Sequence, residues 1–169
     1  MTPHCVSFDI SKLQRFRKKD LIRYVIASLD IAPAGTTITL TTLEGNVVIS
    51  AGEDTLVMIG PCQDLYPITA ALFSKQYQIT SDSTEAVAAL VQQLGWDLKL
   101  FRPCRLKKPS YIYAKAVDCD FQVFVQEHNT ILYGNAGDYF VVNTDRLNQP
   151  YIIQADVMLQ TYEKVESSL

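Results

Sequence analysis

FQVFVQEHNTILYGNAGDYFVVN, residues 121–143, falls without a gap on TITLTTLEGNVVISAGEDTLVMI, residues 37–59. Leu40 meets Phe124, Gly45 meets Asn129, and Val47, Val48 and Ile49 meet Ile131, Leu132 and Tyr133. Asp54 falls on Asp138, and Leu56, Val57 and Met58 fall on Phe140, Val141 and Val142. One inserted residue later the match resumes: Tyr66, Ile68 and Ala70 meet Tyr151, Ile153 and Ala155, and Tyr77 meets Tyr162. Self-similarity at a fixed spacing makes the repeated segment the unit of the fold.

Each copy predicts the same succession of elements. The alternation in TITLTTL (Ile38, Leu40) reads as a half-buried strand, and the Gly45 turn into VVIS reads as a hairpin. In the second copy Asn129 replaces that glycine, and Asn is the next best residue for a positive φ. A second turn, SAGED or GNAGD, leads to the apolar strand TLVMI or YFVVN. A polar loop, a short strand and one or two turns of helix follow, in TAALFSKQY and QADVMLQTY. A unit of this size suits a small curled antiparallel sheet with one buried face.

A helix is expected before each copy. SDSTEAVAALVQQLG has Asp82 or Ser83 as cap, Val87, Leu90, Val91 and Leu94 on one stripe, and Gly95 as terminator. Upstream, Leu13, Phe16, Ile22, Val25, Ile26 and Leu29 recur at helical spacing and predict a helix over 11–29. Between the copies, Trp96, Leu98 and Leu100 alternate and suggest an extra strand. The expected fold class is α+β: two related small β-rich modules, each preceded by an α-helix. The division falls at 1–80 and 81–169, an internal duplication packed as one unit.

LEGNVVISAGEDTLVMIGPCQDLYPITAALFSKQY resembles a small domain found in uncharacterised phage and bacterial proteins. That domain has an E-G hairpin, a P-G-D-Y or P-G-D-W turn, an apolar strand, a G-E-x-Y-P segment and a closing T-Y-E. The second copy keeps Gly137, Asp138 and Tyr139 and ends in Thr161, Tyr162 and Glu163. The first has GED in place of G-D-Y and KQYQ in place of T-Y-E, and the second lacks the E-G turn. The resemblance implies a compact β-rich module with a helix and carries no catalytic residues with it.

The composition bounds the function. Apolar residues at 48% and charged residues at 20% describe a chain that folds. No run of eighteen apolar residues occurs, and the N-terminal stretch lacks the apolar core of a signal peptide, so a cytoplasmic protein is expected, bacterial or delivered into a host cytosol. Cys5, Cys62, Cys104 and Cys119 stand apart and only His4 and His128 accompany them, which argues against zinc and for reduced thiols. Cys119 lies between Asp118 and Asp120, which disfavours its thiolate. No cofactor and no metal is expected, and a homodimer is compatible with the apolar content.

The matched residues are read as structural. Asp54 and Asp138 follow glycine-containing turns, where an aspartate bonds its own backbone, although a carboxylate pair is also the equipment of acid–base chemistry. Tyr66 with Tyr151 and Tyr77 with Tyr162 read as core plugs with their hydroxyls at the surface. Charge placement is the sharper signal. Lys12, Arg15, Arg17, Lys18, Lys19 and Arg23 cluster in one segment, and Lys99, Arg102, Arg105, Lys107 and Lys108 in another. Brought together, these make a basic face for phosphate, nucleic acid or an acidic protein. A pI near 5.3 weighs against a dedicated nucleic-acid binder. The function expected is a non-catalytic interaction protein of phage or bacterial type, acting on a host component and most simply on another protein. Two alternatives stand beside it: a nucleic-acid or phosphate binder using the basic segments, and a small enzyme with a cleft between the modules.

Overall fold

In the computed structural model, residues 4–42 and 45–166 are described. Strands make up 46% of it and helices 23%, an α+β architecture dominated by sheet. In chain order come β1 (His4–Cys5) and β2 (Gln14–Lys18). Next are β3 (Arg23–Ala27), α1 (Ser28–Ile31), β4 (Thr37–Thr42), β5 (Gly45–Ser50), β6 (Thr55–Ile59) and β7 (Leu65–Thr69). Then follow α2 (Ala70–Gln76), β8 (Tyr77–Ile79), α3 (Ala88–Leu94) and β9 (Arg102–Leu106). The last are β10 (Tyr111–Ala116), β11 (Phe121–Val125), β12 (Thr130–Gly134), β13 (Tyr139–Asn143), β14 (Arg146–Ile153), α4 (Ala155–Thr161) and β15 (Tyr162–Lys164).

The contacts separate residues 20–108, an inserted unit, from a split unit formed by residues up to 19 and from 109 onward. This differs from a division at 80/81. That position lies inside the inserted unit, where the Thr80 N–H donates to Pro103 O at 2.9 Å and Arg105 binds Asp82.

In the inserted unit the strand order is β7-β6-β3-β9-β8, with β4 and β5 as a separate hairpin. In the split unit it is β14-β13-β10-β2-β15, with a second sheet β1-β11-β12. Both five-stranded sheets are antiparallel throughout, and β1 on β11 is the parallel exception. Each five-stranded sheet is buried on both faces. In the inserted unit Val25 and Met58 meet Phe73 of α2, while Tyr24, Ile26, Val57 and Ile59 meet Ile38 and Leu40 of the hairpin and Val87 and Val91 beside or on α3. In the split unit Ile112, Ala114 and Val141 meet Met158 of α4, while Phe140 and Val142 meet Phe121 and Val123 of β11.

The fourth strand of each sheet has a particular origin. β2 lies beside β10 and β15, which come more than ninety residues later, while β9 lies beside β3 and β8. The surroundings of the two strands correspond at a spacing of 88 residues. Asp9 caps the 3-10 turn before β2 by accepting from Ser11 N, and Asp97 caps the turn before β9 by accepting from Lys99 N. The Lys19 amide donates to Thr161 O and its Nζ to Leu159 O; the Lys107 amide donates to Gln76 O and its Nζ to Ser74 O. In both units the lysine therefore satisfies carbonyls at the C-terminal end of the short helix, where cations are favoured.

Two helical expectations are corrected. Residues 11–29 do not form a helix but β2, β3 and the four-residue α1 after a short 3-10 turn. Leu13 and Phe16 fit either period, and the outcome is set by pairing: along β2 residues alternate between half-buried and exposed, and β3 is buried on both faces as a central strand. The 82–95 segment does become a 3-10 turn and α3, ended by Gly95 at φ 75°. It packs within the inserted unit, so it does not lead the second module. Residues 98–100 are a 3-10 turn capped by Asp97, and the expected strand begins at Arg102.

The hairpins form as expected, and Asn129 adopts φ 49°. The Leu43–Glu44 part of the first turn lies outside the described residues. Their cross-strand pairing matches the 84-residue shift, Thr37 with Ser50 and Phe121 with Gly134. Their buried faces do not. Leu40 is fully buried, whereas Phe124, its counterpart, is 46% exposed; Thr37 and Thr39 are exposed, whereas Phe121 and Val123 are fully buried. Because side chains alternate along a strand, the hairpin that packs on α3 and the one that packs on β13 use opposite faces.

Candidate functional site

The basic residues are divided between the two units. Arg15, Arg17, Lys18 and Lys19 belong to the split unit; Arg23, Arg102, Arg105, Lys107 and Lys108 belong to the inserted one. Most spend their charge at home. Arg15 lies over the Tyr111 ring at 3.9 Å, and Arg17 donates to Glu163 Oε1 through Nε at 2.8 Å and Nη2 at 2.5 Å. Arg105 holds Asp82 Oδ2 at 3.0 Å and the Asp20 carbonyl at 3.1 Å, and the Arg105 bond, with one from the Thr80 hydroxyl, holds the Asp82 carboxyl below its ordinary range. Lys19 and Lys107 are the helix-end lysines already described. Arg102 and Lys108 are exposed.

Arg23, expected on the basic face, is instead 1% exposed. Its Nη1 donates to Leu21 O at 3.0 Å, its guanidinium stands 5.9 Å from the Tyr77 ring, and its Nη2 has no hydrogen-bond partner. Alternation on β3 turns it toward the Val25 face, among Tyr77 and Cys104. Burial pushes the Cys104 thiol up to about 12 in spite of that cation.

The matched acids part company. Asp138 is buried, and its carboxylate accepts from Asn135 N at 3.0 Å and Ala155 N at 3.1 Å, tying the turn before β13 to the start of α4. Asp54 is exposed, and its backbone carbonyl takes the corresponding bond from Ala70 N at 2.9 Å. The two carboxylates sit in different units. Tyr77 stacks on Phe73 with centroids 5.6 Å apart, and it bonds Tyr66, whose hydroxyl is raised mainly by burial. Tyr151 is likewise raised by burial, next to Tyr162. These four are packing residues of the two sheets' helix-covered sides.

Two features of the split unit are left as candidate surfaces. The first is the outer face of β11–β12, where Phe124 and Ile131 are cross-strand neighbours and Tyr133 pairs with Gln122. Phe124, Ile131 and Tyr133 are 46%, 45% and 69% exposed. The signal was in the chain: β11 and β12 carry apolar residues on both faces, while the outward positions of β4 are threonines. The second is a cleft of about 740 Å³ bordered by Cys5–Phe8, β11 and its following 3-10 turn, Phe140 and Val142 of β13, and Leu147, Asn148 and Pro150 of β14. It exists because the expected loop 143–149 is mostly strand: β14 starts at Arg146 after an Asn143 side chain caps the Asp145 amide at 3.0 Å. In the inserted unit the matching loop stays a loop, and Gly60, Pro61 and Gln63 line a smaller hollow of about 340 Å³ with Arg105 and Tyr24.

Among the described residues no helix is long and apolar enough to cross a membrane, and no group of three His, Cys, Asp or Glu side chains is placed to hold a metal ion. Comparison with protein-family models, curated proteins and solved structures finds no match.

Proposed function

We propose that the chain is a non-catalytic binding protein that docks another protein on the outer face of hairpin 121–134. The observation that carries this reading is the contiguous exposure of Phe124, Ile131 and Tyr133 beside a core already filled from the other side of the same strands. Three large apolar side chains held outward on a fully paired hairpin have much of their backbone already ordered before binding, and aromatic anchors of this kind dominate protein interfaces. The resemblance to a phage and bacterial domain points to a host protein as the partner.

The chain is further read as two copies of one module that have exchanged their leading strands. The support is the set of paired contacts: Asp9 with Asp97, Lys19 with Lys107, and the Val165 amide on Arg15 O with the Thr80 amide on Pro103 O. On this reading the basic segments are the matched β2 and β9 strands, and their shared task is to join the central strand of each sheet to its last strand, β15 or β8. The internal partners of Arg17, Lys19, Arg105 and Lys107 leave a nucleic-acid role with little free charge.

The test places a photocrosslinking amino acid at Tyr133 and, as control, at Val48 on the other hairpin. Expected is a discrete protein adduct at position 133 in lysate of the producing cell or its host. It should vanish when Phe124 and Ile131 are changed to Ser. Equal labelling at 133 and 48, or an adduct indifferent to those changes, rejects the reading.

A further inference from the structure

We infer that the cleft of the split unit is a strand-acceptor site for an extended peptide, added to the open edge of β11. The inference deepens the reading of the chain as a protein-binding module and rests on it, but it uses the opposite side of the hairpin.

β11 has two edges. One is paired along all five residues with β12, from Phe121–Gly134 to Val125–Thr130. Among the described residues, the other is paired with β1 only at Phe121 and Gln122. Val6 N donates to Gln122 O at 2.9 Å, so the Gln122 carbonyl faces β1. In a strand the N–H and C=O of one residue point the same way and those of the next point oppositely. The Phe124 N–H and C=O therefore face the side of β1, beyond Cys5 where that strand ends. The 740 Å³ cleft is bordered there by both Phe124 and Gln126. An edge without a neighbour is a template for pairing, and extended ligands of other proteins bind by adding a strand to such an edge.

The surroundings define the ligand. Val6, Phe8, Phe124, Leu147 and Pro150, each partly or largely exposed, give the cleft an apolar lining that alternate side chains of a strand would meet. Glu127 is the one charged side chain among the described residues that border the cleft, and it stands beside Gln149, whose Nε2 donates to it. The occupant is thus a segment of a partner protein with apolar residues at every second position and a lysine or arginine at the end that reaches Glu127. The volume lies within the range of ordinary ligand sites.

The probe is a displayed library of random heptapeptides, selected against the full-length protein. Two variants block the site differently: Asn148→Trp fills the cleft from an exposed position, and Phe124→Pro deletes the edge donor without touching the β12 ladder. Expected is enrichment of alternating apolar peptides with one terminal basic residue. Their affinity, read by fluorescence anisotropy, should fall at least tenfold in each folded variant, and also on the wild-type protein when the peptide is N-methylated at alternate residues. The N-methyl comparison stands even if a variant melts early. Failure to enrich any sequence, or binding that survives both blocks and N-methylation, overturns the proposal. Tyr133→Ser should leave peptide binding unchanged. If it abolishes binding while Asn148→Trp does not, the strand site is wrong and the outer-face reading stands; if peptides bind but Tyr133 yields no adduct, the reverse holds.

Discussion

Hairpins 37–50 and 121–134 close with corresponding cross-strand pairs, yet the first turns Ile38 and Leu40 into a core and the second turns Phe121, Val123 and Val125 inward instead. The difference lies in what covers them. α3 and Phe101 supply an apolar partner for the first hairpin, and Phe8, Leu13 and β13 supply one for the second. Sequence similarity between two strands can therefore hold in pairing and fail in facing, because moving by a single residue exchanges the two faces. The second hairpin retains apolar side chains on both, and the surplus is what a partner meets.

The widest gap between the hairpins should appear at the matched pair Leu40 and Phe124. Leu40→Ala is expected to cost about 2–5 kcal/mol, and Phe124→Ala under about 1 kcal/mol. Urea unfolding checks this; Trp96, the chain's only tryptophan, is packed on Phe101 with centroids 6.1 Å apart and reports the inserted unit, while circular dichroism follows both. Gly134 and Ser50 form the next contrast. A Cβ on Gly134 would stand 2.4 Å from the Phe121 ring, so Gly134→Val is expected to cost about 1–3 kcal/mol, relieved in part by Phe121→Leu. Ser50→Val, at the matching exposed position, should stay within about 0.5 kcal/mol.

Beyond the hairpins, Asp138→Ala leaves two backbone amides unpaired and is expected to cost about 1–3 kcal/mol, whereas Asp54→Ala should move the melting temperature barely at all. The smallest effect belongs to Asp82. Its folded-state carboxyl is lowered chiefly by the Arg105 hydrogen bonds, so its contribution is present above the unfolded value near about 3.9 and is lost as pH falls through the folded value. Arg105→Gln should flatten that acid limb in a melting series from pH 5 to 2, and an unchanged limb would remove Asp82 from the account.

The two hairpins, the strands β6 and β13 and the short helices α2 and α4 were legible, because turn residues such as Asn129 and Gly137 and the alternation between them are local signals, whereas β8, β15 and the first half of β14 were not. Nor were β2 and β3. Leu13, Phe16, Val25 and Ile26 satisfy the helical period as well as the extended one, and only the neighbours β9, β10 and β15, far off in the chain, decide between them. Arg23 was misread for the same reason: nothing adjacent to it announces that pairing with β6 and β9 will bury it. The cleft depended on β14 extending where its counterpart loops, a change carried by RLNQP in place of PCQDL.

The placement of β2 also sets an order of events on the ribosome. Residues 20–108 hold every strand of the inserted sheet and can close once β9 has emerged. β2 leaves the tunnel earlier than all of them, yet its partner strands β10 and β15 begin at Tyr111 and end at Lys164. It must therefore wait as an unpaired basic strand until β10 and β15 have been made. The density of lysine and arginine in QRFRKK then serves a transient purpose, keeping an edge soluble and unattractive to other nascent chains until its own sheet arrives.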